Sequence, residues 1–185
     1  MADAYLTIPP NWAEPVSLSH VWRTSILRGE TGDEQRSALY TKARRKIRYR
    51  LDVLDAAEMR WIKRHLFKYL HQVWGVPLWP DRTYLTAQAD AGQNVLTVAS
   101  AAYRHFGEGE RVILLDAADP GLYEAGEIAS ISAPNITLVN NLANTWPVGT
   151  DVYPMIEARL NPAQEMSLYV PAYGGLDIEA EETIG

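Results

Sequence analysis

The chain contains no cysteine, which excludes disulfides, thiolate-bound zinc and a thiol nucleophile, and fits synthesis in a reducing cytoplasm. Phenylalanine is scarce: two residues stand against six Trp and ten Tyr. Most of the aromatic bulk therefore carries a polar handle, which suits cores and protein interfaces alike. No apolar run approaches the roughly 20 residues that span a bilayer as a helix. The opening Met1–Tyr5 has neither the basic nor the apolar region of a signal peptide. Membrane insertion and secretion are not expected.

Cations are unevenly scarce. Residues 1–80 hold 13 Lys/Arg and 8 Asp/Glu, net +5, whereas residues 81–185 hold 4 and 15, net −11. Such a split suits head-to-tail pairing between copies of one chain, and two differently charged solvated surfaces give it equally. The basic cluster Lys42, Arg44, Arg45, Lys46, Arg48 and Arg50 allows at most a transient contact with DNA, because no base-reading motif accompanies it.

Catalytic patterns are missing too. There is no Gly-x-x-x-x-Gly-Lys phosphate loop, no Gly-x-Ser-x-Gly elbow, no His-Glu-x-x-His and no Asp-x-Asp-x-Asp-Gly calcium loop. His65 and His71 share one predicted helix, but six residues place them about 240° apart around its axis. Glu108, Glu110, Asp116, Asp119, Glu124 and Glu127 supply carboxylates, but a glycosidase needs two of them at a set separation across a substrate cleft, and most surface carboxylates do no chemistry. No catalytic residue, metal ligand or cofactor is assigned, and a non-enzymatic protein is expected.

What is present is a β-rich pattern around one helix. At 185 residues, 47% hydrophobic and 22% charged, the chain is globular in composition and long enough for one ordinary domain or two small ones. Three prolines in Thr7–Pro15 predict an extended arm or loop. Val16, Leu18, Trp22, Thr24 and Ile26 alternate with polar residues as one strand, ended by a turn at Gly29–Asp33. Ile47, Tyr49, Leu51 and Val53 mark the buried face of a second strand, with Lys46, Arg48, Arg50 and Asp52 on the other. Asp55 with Glu58 forms a capping box. The apolar stripe Met59, Ile62, Leu66, Tyr69, Leu70 and Val73 predicts a helix over about 55–73, stopped by Gly75 and Pro77. Beyond Pro80, short runs at 94–100, 111–116, 124–132, 136–140 and 151–156 predict a small antiparallel barrel or sandwich. Segments 166–170 and 176–180 add two strands, and residues from Glu179 onward read as a mobile tail.

Several strings, in order, resemble phage tail proteins of the distal tail type. They are Asn11–Pro15, Glu34-Gln35-Arg36 after a glycine turn, Arg44-Arg45 opening an alternating strand, and Val76–Asp81 after the helix. Leu85-Thr86, Val95–Val98, Phe106–Gly109, Trp146–Thr150 and Val152–Pro154 follow, so the likeness spans about Asn11 to Leu160.

The resemblance implies a structural subunit of the tail tip, assembled in the host cytoplasm and forming a hexameric ring that joins the tail tube to the baseplate or tail fibres. It implies a mostly β (α+β) fold. A sheet-plus-helix ring domain, 1–80 completed by about 156–180, would carry an inserted OB-like or sandwich β domain at 81–155, with 181–185 a mobile tail. A neck or tail-terminator connector, or a glycan-binding module, is the alternative. Arg45, Lys46, Arg48 and Arg50 are then candidates for the subunit interface or lumen, facing the acidic surface of the next copy. Trp12, Trp22, Trp79 and Trp146 are candidate arm or interface aromatics.

Overall fold

The fold is mostly β and antiparallel, with a single packed helix. The computed structural model describes residues 2, 4–22, 24–28, 34–38, 42–117, 119–163, 165–170 and 173–183. The turn expected at Gly29–Asp33, like Ile184 and Gly185, lies outside these residues. Before the helix come β1 (Ala4–Tyr5), β2 (Ser17–Val21), β3 (Thr24–Arg28), β4 (Glu34–Ala38) and β5 (Arg44–Val53). Helix α1 (Ala56–Trp61) continues through a π turn at Ile62–Leu66 and a 3-10 turn at Phe67–Tyr69. Then follow β6 (Trp74–Pro77), β7 (Thr83–Tyr84), β8 (Val95–Thr97), β9 (Arg111–Leu115), β10 (Tyr123–Ser132) and β11 (Asn135–Leu138). The chain returns through β12 (Asp151–Leu160), β13 (Met166–Val170) and β14 (Tyr173–Glu182).

The main sheet runs β2-β5-β14-β12-β9-β10-β11-β8 and is not closed into a barrel. Strand β5 behaves as its alternation predicts: Ile47, Tyr49, Leu51 and Val53 are buried. Every second residue shares a face of a strand, so Arg45 falls on this inner face too. β14 pairs with β5 from Gly174↔Val53 to Glu181↔Lys46. Glu181 and Glu182, expected in the mobile tail, belong to this strand, and Glu182 is buried. The strand runs on to Glu182 because Arg45 of β5 holds its carboxylate.

The strand expected over Val16–Ile26 is interrupted after Val21. β2 pairs with β5, whereas β3 and β4 pair with each other in a separate two-stranded ribbon.

At the helix start the Asp55 carboxylate accepts from the N–H groups of Ala57 and Glu58 at 2.7 and 2.8 Å. Glu58 reaches back to the Leu54 N–H at 2.8 Å, one residue beyond the usual capping-box target. Met59, Ile62 and Leu66 bury the stripe.

The helix ends at Tyr69, short of the expected Val73, where the Trp74 indole N–H donates to the Tyr69 carbonyl at 3.0 Å. Trp74–Pro77 is a buried strand rather than a helix stop. β6 lies between β1, which pairs parallel to it, and β12. Gly75 is required there, since a Cβ would stand 2.6 Å from the Tyr5 ring and 2.7 Å from Met155 Sδ. Gly75→Ala is expected to displace β1 and cost about 1–3 kcal/mol, as overpacked sites do. A denaturant midpoint unchanged from the parent would contradict this.

Buried side chains form two clusters. The first holds Tyr49, Ile62, Trp74, Trp79 and Ile178; the second holds Leu85, Leu96, Ile128, Leu138 and Trp146. β9 supplies both. Ile113 and Leu115 face the first, while Val112 and Leu114 face the second. β12 does the same, with Tyr153 and Met155 on one side and Val152 on the other. A strand buried on both faces reads as a continuous apolar run, as Val112–Leu115 does.

Candidate assembly surface

The basic row of β5 meets acidic residues of its own chain. Across the ladder Arg50 opposes Asp177, Arg48 opposes Glu179 and Lys46 opposes Glu181. Lys46 pairs with Glu179, Arg44 with Glu181 at 3.5 Å, and Arg50 with Asp52 at 3.2 Å and Glu14 at 3.5 Å. The hydrogen bond and charge of Glu179 raise the Lys46 pKa. Much of the opposition between a basic first half and an acidic second half is thus met by β5 lying beside β14. Solvated cross-strand pairs of this kind fix register more than they add stability.

Arg45 differs because it points inward. Its guanidinium contacts Glu182 at 2.6 Å and Glu110 at 2.5 Å, and its backbone N–H donates to Glu182 at 2.9 Å. Burial opposes the charge of Glu182, but the Arg45 hydrogen bonds and charge outweigh it and hold the carboxyl below its ordinary range. The Arg45 pKa is raised by the same contacts against its own desolvation. This cluster pins the end of β14 and the loop before β9 to β5. It is a clamp inside the subunit, so Arg45 is not a free interface residue.

The four tryptophans divide. Trp12 and Trp22 are exposed. Trp79 and Trp146 are buried, one in each core, and present no surface to a partner. Trp79 packs edge-on against Tyr153 with ring centroids 5.0 Å apart, and Trp146 donates to Glu124 at 2.8 Å.

Two surface features stand out. The β3–β4 ribbon leaves Ile26 49% and Leu27 65% exposed, with Trp22 and Val21 exposed at its base. The other is a groove beside α1, formed by two hollows of about 570 and 510 Å³ that share Trp61 and Gly121. Tyr5, Trp61, Tyr69 and Tyr123 line its aromatic part. Tyr5 and Tyr123 lie 5.0 Å apart, and Trp61 meets Trp74 edge-on at 6.4 Å. Asp55, Glu58 and Asp119 make the other end acidic. No sequence pattern announced this groove, because its walls come from β1, α1 and the turn before β10.

His20 on β2 stacks on His105 at 6.0 Å, and His105 Nδ1 lies 2.5 Å from Asp81 Oδ2. No nucleophile accompanies this pair in the contacts described, and among the described residues no three His, Asp or Glu side chains gather to hold a metal ion. Burial, with Asp151 adding to it at Tyr153, pushes the Tyr49 and Tyr153 hydroxyls far above their ordinary range. Compared with known proteins, the chain matches no family model and no curated sequence.

Proposed function

We propose that the chain is a structural component of a phage tail tip, forming a ring, of six copies by the resemblance, between the tail tube and the baseplate or host-recognition apparatus. The observation that carries this reading is the β3–β4 ribbon. An isolated two-stranded hairpin is at best marginally stable in water. Adjacent strand residues point to opposite faces, so Ile26 and Leu27 put one exposed large apolar side chain on each face of this ribbon. An assembling subunit supplies the missing bed for such an arm, whereas a free-standing enzyme gains nothing from it. The order of the tail-protein strings from Asn11 to Leu160 supports the same reading.

On this reading the sheet-and-helix part, 1–80 with about 156–180, builds the ring, and residues 81–155 face outward. Tail tube protein, baseplate hub and fibre proteins are the partners, and the virion tail tip is the location. A neck or terminator position differs only in partners. Negative-stain imaging and mass photometry of the purified chain test it. Closed rings of uniform size that bind tail-tube protein are expected. A monomer at all concentrations that binds polysaccharide instead would overturn the reading.

A further inference from the structure

We infer that β3 of one copy lies in the aromatic groove of the next copy, so that ribbon and groove form the two halves of one heterologous contact. This rests on the ring reading and specifies which surfaces meet. Each half lacks its complement within the subunit. Among the described residues the ribbon pairs only within itself, and Trp22, Ile26 and Leu27 are exposed. The groove is open along rings that otherwise pack against the first core.

Their charges complement each other. The two strands of the ribbon carry Arg28 and Arg36 against one carboxylate, Glu34, which lies across from Arg28, and Arg28 is exposed. In the groove Asp55, Glu58 and Asp119 are held by backbone N–H groups of Ala57, Leu54 and Gly121. None of the three forms an ion pair among the described residues. Trp, Tyr and Arg are the residues on which interface energy concentrates, and here they lie on the two mating surfaces. A contact between two different patches of one chain propagates and closes when its rotation allows a ring.

The absence of cysteine gives a clean test. Leu27→Cys is made on the ribbon. Ala57→Cys and Ala117→Cys, both at exposed positions lining the groove, are made separately. Each acceptor is mixed with Leu27→Cys under oxidising conditions, and rings are imaged in parallel. The expected result is rings in every sample, with a disulfide-linked pair consuming a substantial share of the chain in at least one mixture and in no single-variant sample. Rings with no link in either mixture overturn the inference and leave the ring reading standing. Rings in which Leu27→Cys links to itself also overturn it, because the ribbons then pair with each other. Neither rings nor links overturn both.

Discussion

Replacing Glu182 with alanine is expected to destabilise the fold by about 3–5 kcal/mol, the usual cost of leaving one member of a buried ion pair alone. For a chain of this length that corresponds to a fall of roughly 10 °C in melting temperature. Glu182 is buried, and its two oxygens take three bonds from Arg45. Glu110 keeps one contact with the guanidinium but cannot replace the backbone bond. The double replacement Arg45→Met with Glu182→Leu should recover most of the loss, since an apolar pair of similar volume avoids desolvating two charges. A Glu182→Ala variant as stable as the parent would remove the clamp from the account of the fold.

The same clamp sets an acid limit. Because the folded-state pKa of Glu182 is depressed, its contribution is complete above the unfolded carboxyl pKa. It is lost as pH falls through the folded value, where the unfolded chain already binds the proton. Stability measured from neutral pH downward should therefore fall less steeply in the double variant than in the parent.

Glu124→Ala carries the second large effect, expected at about 3 kcal/mol. Its carboxylate accepts from the N–H groups of Ala143 and Asn144 at 2.5 and 3.1 Å, from the Asn144 side chain at 3.3 Å and from the Trp146 indole at 2.8 Å. Hydrogen bonds to a charged acceptor contribute about 1.5–3 kcal/mol, and removal of the acceptor orphans a buried indole N–H. Glu124→Gln keeps one acceptor oxygen and should lie between the two. Combining Glu124→Ala with Trp146→Phe removes donor and acceptor together, so the double variant should lose less than the sum of the singles. Full additivity would show that the two side chains are not coupled. Amide exchange at Ala143 and Asn144 reports the same loss locally.

How much of this was legible in the sequence depended on whether a signal was local. The alternation Ile47, Tyr49, Leu51, Val53 places β5 without help, and Met166–Val170 matches β13 at both ends. The short runs beyond Pro80 fall on β8 to β12 within a few residues. The helix end was misread because Gly75 and Pro77 also suit a buried strand, and only the approach of Tyr5 and β12 separates the two cases. The acidic run at the C-terminus looked like a solvated tail because its partner, Arg45, is remote in sequence. Arg45 shares parity with Ile47, which places it on the inner face, yet parity does not say which acid meets it. The groove was illegible for the same reason: Tyr5, Trp61 and Tyr123 are unremarkable singly.

β9 and the first half of β12 act as a party wall, plastered on both sides. A cassette that evolution or an engineer could lift out whole would need its own outer skin. Removing residues 81–155 here would strip Ile113, Leu115, Tyr153 and Met155 from the first core. The β half built on these two strands is therefore free to vary at its loops, but not to be exchanged as a block.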